Sequence, residues 1–209
     1  MKFYDCKMAP SPRRVRIFAA EKGLELETIE VDLRSGEQFA AEFRDINPDC
    51  TVPVLELDDG TRITEVLAIC QYLEELQPEP ALIGQTAEQR AIAMMWTLKI
   101  EQHGLMACRD AFRNFAKGLK HNAMTGPVQY DQIPELAERG RKGVLVFLQR
   151  LEQQLAQSEF VAGDYFSIAD ITALVLVDFA GWIKISVPEG ADNLQRWYDS
   201  VSSRPSAAL

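Results

Sequence analysis

Three places in the 209-residue chain combine residue types and spacing that could do chemistry. In "APSPRRVRIF", Ser11 followed by Pro12 has the form of a helix start, with a serine at the N-cap and proline at the first helical position. Capping alone accounts for both residues. The amino end of a helix directly behind a first strand also gathers free N–H donors and the positive end of the helix dipole, which stabilise an anion such as a thiolate. A serine hydroxyl there adds a hydrogen bond to a ligand's sulfur. Arg13, Arg14 and Arg16 add positive charge in the first turns, or form an ordinary solvated helix face.

In "CTVPVLELDDGTRITEVLAICQYL", Pro53 falls where a strand begins, since proline removes a ladder hydrogen bond and belongs at an edge or a strand start. A cis Val52–Pro53 bond there turns the chain and leaves the Val52 N–H and C=O facing outward, able to pair with an extended, peptide-like ligand. The plain alternative is an edge proline. Further on, Glu65 opens the next helix, where it is suited to hold an ammonium group or simply complements the helix dipole. One ligand carrying both a carboxylate and an amine would satisfy this second terminus. A fourth pattern, Ser167 and Asp170 ahead of a long apolar run, is a capping box, and losing it is expected to cost about 0.5–2 kcal/mol without touching chemistry.

The elements that position these residues fall into two halves. Up to about residue 76 the signals alternate: strand-like "KFYDC", a helix closed by Gly23, an alternating "ELETIEVDL", a short helix near "GEQFAAEFRDIN", two strands around "DDG", and a helix ending in "QYLEEL". The order is βαβαββα, with the first two strands parallel and the last two a hairpin. The segment "QPEPALIGQT" breaks the helical period and reads as a linker between residues 1–79 and 87–209. Everything beyond it is helical in pattern, with "KHNAMTGPVQYDQIP" the least regular stretch. The fold class is therefore α/β followed by all-α.

Composition narrows the partners. An apolar fraction of 47% supports a sizeable core, and 31 acidic against 22 basic residues leave a net charge of -9, which repels nucleic acid and anionic membranes. No run approaches the roughly 18–20 apolar residues of a membrane span and no signal-peptide core opens the chain, so a soluble cytoplasmic protein is expected. Cys6, Cys50, Cys70 and Cys108 are scattered, and with two histidines in the chain they indicate reduced, packed thiols rather than a metal site or a disulfide framework.

Taken together, "PRRVRIFAAEKG", "EFRDINPDCTVPVLELDDGTRITEVLAICQYLEEL", "FVAGDYFSIADI" and "RWYDSVSSRPSA" resemble successive signatures of the glutathione transferase family, in order and nearly end to end. The resemblance implies a thioredoxin-like first domain, a helical second domain, a soluble homodimer, and glutathione as co-substrate without a metal. It implies that Val52, ahead of a cis Pro53, pairs its backbone with the cysteinyl part of glutathione, and that Glu65 and Val66 hold the γ-glutamyl end. The family usually carries serine after that glutamate; Val66 keeps a backbone N–H but no hydroxyl. By the resemblance, the hydroxyl of serine-type members falls at Ala9, which leaves Ser11, two positions later, as the candidate catalytic residue beside its reading as a plain cap, with Cys50 near the expected thiol site. The second substrate, a small hydrophobic electrophile, is expected against "MMWTLKIEQHGLMACRDAFRNF", where Met95, Trp96, His103 and Phe112 are candidate pocket residues. The alternatives are a binding or regulatory protein of the same fold with little transferase activity, and a glutathione-dependent isomerase or peroxidase.

Overall fold

The computed structural model describes residues 1–209 and divides them into two compact units, Met1–Pro80 with Met124–Gln129 and Leu209, and Ala81–Ala123 with Tyr130–Ala208. The first unit runs β1 (Lys2–Asp5), α1 (Pro10–Glu21), β2 (Glu27–Glu30), a 3-10 turn (Glu37–Phe39), α2 (Ala41–Ile46), β3 (Val54–Glu56), β4 (Arg62–Thr64) and α3 (Val66–Leu76). Its four-stranded sheet has the order β2-β1-β3-β4, with β1 parallel to β2 and β3 antiparallel to both β1 and β4. This is the mixed βαβαββα arrangement expected from the alternating periodicities, and it fits the thioredoxin-like domain that the family resemblance implies.

The two central strands of the sheet, β1 and β3, are buried on both faces. Tyr4 and Val54 point to one face and pack with Val31 and Phe43, the Tyr4 and Phe43 rings meeting edge to face. Phe3 and Leu55, their neighbours along the strands, point the other way and are fully buried too. Helices α1 and α3 pack together and bury Val15, Phe18, Ile69 and Leu73. Helix α1 stops where Gly23 takes φ +66°, which lets the Leu24 and Gly23 amides reach back to Ala19 O and Ala20 O.

The second unit contains α4 (Ala87–Lys99), which continues through a π-helical segment (Ile100–Leu105) into α5 (Met106–Arg113), then α6 (Pro134–Leu155), α7 (Ile168–Trp182), α8 (Asp192–Ser202) and a closing 3-10 turn (Pro205–Ala208). Helix α6 begins at Pro134, ahead of the apolar run at "GVLVFLQRLEQQLA", because proline suits the first helical position, where a missing N–H costs nothing. Helix α7 is apolar on nearly every side and buried along almost its whole length, the pattern of a central helix. A Cβ placed on Gly140 would overlap Ala107 O and lie 2.7 Å from Ala111 N, so α5 and α6 approach closely through that glycine.

The capping box on α7 is larger than its local motif. The Ser167 Oγ accepts from Ala169 N–H, and Asp170 Oδ2 accepts from Ser167 N–H at 3.0 Å and Ser167 Oγ at 3.1 Å. Its other oxygen, Oδ1, accepts from Val161 N–H at 2.9 Å and from Trp197 Nε1–H of α8 at 2.8 Å. One buried carboxylate thus joins α7, the loop before it and α8. Nearby, Glu152 of α6 accepts from the backbone N–H groups of Asn193 and Leu194 and satisfies the first turn of α8. Burial works against that carboxylate's charge, and the hydrogen bonds from Leu194 and Asn193 outweigh it and hold the group below its usual range. The irregular stretch is pinned to the end of α5 by Arg113, which donates to Asn122 O and Ala123 O, and by Gln132, which donates to Arg113 O and Ala116 O.

Candidate active site

Strand register by itself gathers three of the sequence features at one end of the sheet. Tyr4 pairs with Val54, so the start of β3 lies beside the carboxyl end of β1, from which the chain enters α1. Val54 also pairs with Thr64, so the end of β4 and the start of α3 lie there as well. The first turn of α1, the Val52–Pro53 step and Glu65–Val66 therefore share one edge.

At the first of these, the structure corrects the expected cap. Helix α1 starts at Pro10 with Ala9 as its N-cap and no side-chain cap, so Ser11 sits inside the first turn and does not cap it. The reason is that Pro10, not Pro12, occupies the first helical position, where a missing N–H costs nothing. Pro10 and Pro12 both lack an N–H, and the Ala9 amide is taken by Cys6 O at 2.8 Å. What this helix end offers an anion is concentrated in Ser11, through its backbone N–H and hydroxyl. The arginines behind it are not a solvated face: Arg14 is buried and Arg16 is held by Asp5.

The Val52–Pro53 bond is cis, and β3 begins only at Val54. Val52 belongs to neither ladder, while its side chain packs against the Tyr4, Val31, Phe43 and Val54 cluster. Its backbone thus lies outside the sheet's hydrogen bonding, while its side chain is packed away. The turn that delivers it is organised by Asn47, which is 2% exposed. The Asn47 amide donates to Thr51 O at 2.8 Å and Thr51 Oγ1 at 3.0 Å, and its Oδ1 accepts from Asp49 N–H at 3.1 Å. The sequence marks a turn at Asn47-Pro48-Asp49 but not the burial that sets this asparagine apart. Cys50, in the same turn, has φ +53°, is buried, and turns its thiol to Pro48 O at 3.5 Å.

Glu65 is the N-cap of α3 with φ +67° and ψ 127°, a region a side-chain-bearing residue occupies only when its surroundings hold it there. Its side chain is exposed and does not cap the helix. Val66 is the reverse: its side chain is 4% exposed, and its N–H stands at the first position of α3, outside the intrahelical ladder. Where the family pattern has a hydroxyl, this site has a buried isopropyl group and a backbone donor.

Comparison with known proteins settles the family. Residues 9–76 match the glutathione S-transferase N-terminal domain and residues 105–205 the glutathione S-transferase C-terminal domain. Glutathione S-transferase 2 of Saccharomyces cerevisiae is 36% identical over 209 residues, covering 99% of this chain and 87% of that protein. The chain belongs to the glutathione S-transferase family. Among solved structures, a glutathione S-transferase domain-containing protein of Marinobacter aquaeolei VT8 is 38% identical with a TM-score of 0.90 over 99% of both chains. Maleylacetoacetate isomerase of Rattus norvegicus is 44% identical over 161 residues, 76% of this chain and 68% of that one.

Within the transferase fold, the residues expected to line an electrophile pocket have separate partners. Phe112 joins Phe179 and Trp182 of α7 in edge-to-face contacts, with centroids 5.7 and 5.2 Å away. The His103 ring stacks on Phe147 of α6 at 6.4 Å, and Met95 is exposed. Trp96 is covered by cations, Lys99 at 4.6 Å and Arg150 at 5.7 Å. The π-helical segment between α4 and α5 shifts the register of side chains along this helix, which a single 3.6-residue period does not anticipate. None of the four cysteines is in a disulfide and all are buried, and burial pushes the Cys108 thiol up to about 12.

Proposed function

We propose that this chain binds glutathione along the shared edge of the first unit and stabilises its thiolate for attack on a small electrophile, as a glutathione S-transferase. The observation that carries the reading is full-length similarity to yeast Glutathione S-transferase 2, at 36% identity across both domains. The cysteinyl part of glutathione pairs with the Val52 backbone, the γ-glutamyl ammonium meets Glu65, and its carboxylate meets the Val66 N–H at the positive end of α3. The thiol lies at the first turn of α1. There it gives its proton to solvent, the Ser11 N–H and hydroxyl donate to the sulfur, and the thiolate forms the carbon–sulfur bond as the leaving group departs or a proton adds. Cys50 borders this position as a packing residue.

The site works with one hydrogen bond fewer than the serine pattern. A bond to a charged group is worth about 1.5–3 kcal/mol, so glutathione is held roughly 10- to 100-fold less tightly than with a serine at position 66. Calorimetric titration tests the whole assignment: absence of heat at millimolar glutathione would sink it in favour of a binding or regulatory role for other ligands. The similarity to maleylacetoacetate isomerases supports a second reading, in which the same thiolate adds to a conjugated double bond, lets it rotate, and leaves again. Assaying cis–trans isomerisation beside conjugation of an aryl halide separates the two.

A homodimer completes the proposal. Met95, Leu98 and Met106 leave exposed apolar surface along α4 and α5, and a second copy is the partner that would cover it. This assigns Met95 to an interface, and a pocket shared by Met95, His103 and Phe112 is not part of the proposal. No helix is long and apolar enough to cross a membrane. A cytoplasmic detoxification role fits the proposed chemistry, and it is tested by the sensitivity of a deletion strain to electrophiles.

A further inference from the structure

The loop Cys6–Ala9 connects β1 to α1 and delivers Ser11 to the edge described above. Asp5, the last residue of β1, is buried where the chain leaves the sheet. Arg16 reaches back to it from the second turn of α1: Nη1 stands 2.5 Å from Asp5 Oδ1, and Nη2 donates to Lys7 O at 2.9 Å. One planar guanidinium therefore joins the helix, the strand end and the loop between them, a geometry that suits arginine's fixed fork and not lysine's single ammonium. The loop is held from its other side as well. Lys7 N–H donates to Glu30 Oε1 at the end of β2, 2.9 Å away, and Ala9 N–H donates to Cys6 O at 2.8 Å. The pair is shielded from water, with side chains 14% and 3% exposed, so it belongs to the framework and not to the exposed ion pairs that contribute little. Burial raises the Asp5 carboxyl while Arg16 opposes the rise.

We infer that Arg16, anchored by Asp5, is a positioning residue for the transfer reaction: it holds the Cys6–Ala9 loop so that the Ser11 N–H and hydroxyl stay aimed at the thiol. This rests on the glutathione site proposed above. Because Pro10 and Pro12 remove neighbouring donors, no second amide in the turn takes over if the loop shifts. The rival account is that Arg16 lowers the thiol pKa by its charge alone, and two variants give the accounts opposite signs. Arg16→Lys keeps the charge but cannot bridge Asp5 and Lys7 O together. Positioning predicts turnover at least about tenfold lower, a raised pKa of the bound thiol, and a smaller change in glutathione affinity. Asp5→Asn leaves the guanidinium less neutralised. Charge alone predicts a lower thiol pKa and undiminished turnover, whereas positioning predicts the same loss as Arg16→Lys.

The test is ultraviolet titration of the bound thiol and steady-state kinetics on wild type and both variants. Amide hydrogen exchange of the ligand-free proteins over residues 7–11 accompanies them. Faster exchange confined to that loop, with the kinetic losses above, is the expected result. Wild-type behaviour of Arg16→Lys in either kinetics or exchange, or a lowered thiol pKa in Asp5→Asn, overturns the inference. If wild type fails to bind glutathione, the transferase reading falls separately, and the exchange data still decide whether Arg16 holds the loop.

Discussion

Asp170→Ala offers a demanding check on the role assigned to the helical unit, because magnitude and pH dependence both follow from one carboxylate. The substitution removes the acceptor for three buried N–H groups, those of Val161, Ser167 and Trp197. Each orphaned donor costs about 1–3 kcal/mol, so a central figure is about 6 kcal/mol against a neutral carboxyl. In the folded protein burial pushes Asp170 up to about 6 from 3.8, with the bonds from Val161, Trp197 and Ser167 opposing it. The ionised group therefore carries its own cost of about 3 kcal/mol. At pH 7 the variant should lose about 3 kcal/mol, more than a lost cap.

The sign on acidification is distinctive. The folded state binds the proton more tightly than the unfolded state, so wild-type stability from this group is fully present below 3.8, falls as pH rises through about 6, and is flat above. Between pH 7 and pH 5 the penalty of Asp170→Ala should grow by roughly 1.3 kcal/mol. An ordinary exposed capping carboxylate would show the reverse. Equilibrium urea unfolding followed by tryptophan fluorescence, at matched protein concentration because the stability of the proposed dimer would depend on it, measures both numbers. A penalty under about 1 kcal/mol, or one that shrinks on acidification, refutes the account of Asp170 as a buried junction.

Other perturbations test the remaining parts. Val66→Ser should strengthen glutathione binding at least about tenfold in calorimetry while lowering stability, since it places a hydroxyl at a buried site; unchanged affinity would show that the backbone donor suffices. Asn47→Ala removes three hydrogen bonds from the turn that delivers Val52, and should cost about 2–4 kcal/mol in urea together with glutathione affinity; full affinity in a folded variant would detach the turn from the site. Gly140→Ala forces a methyl into backbone atoms of α5, and should cost about 1–3 kcal/mol in thermal unfolding. A neutral result there would mean that the two helices separate freely.

Much of the fold was legible because it is local. The period-2 and period-3.6 runs marked the strands and the α-helices, Gly23 ended α1, and Pro53 announced β3, since strand and helix signals depend on neighbours within a few residues. The α7 cap was legible as Ser167 and Asp170, three apart. The fourth donor to that carboxylate, Trp197, lies 27 residues away and carried no signal. The start of α1 was misplaced, because two prolines compete for the first helical position and chain entry from β1 decides between them. Asn47 was missed because asparagine in a turn is common, and its burial is not visible in the chain.

What the sequence by itself determined is the order and type of elements, the family, and Ser11, Val52, Pro53, Glu65 and Val66 as candidates for the proposed glutathione site. Spacing, capping chemistry and proline's missing N–H are local properties that act wherever the chain goes. Only the tertiary structure decided which atoms of those residues are available. It turned the Val52 and Val66 side chains into the core and left their backbones, and it held Glu65 at a positive φ. It also moved Ser11 from cap to first turn and tied Arg16 of the same helix to Asp5 at the end of β1. Orientation and burial arise from strand register and packing between segments far apart in sequence, and no local pattern encodes them.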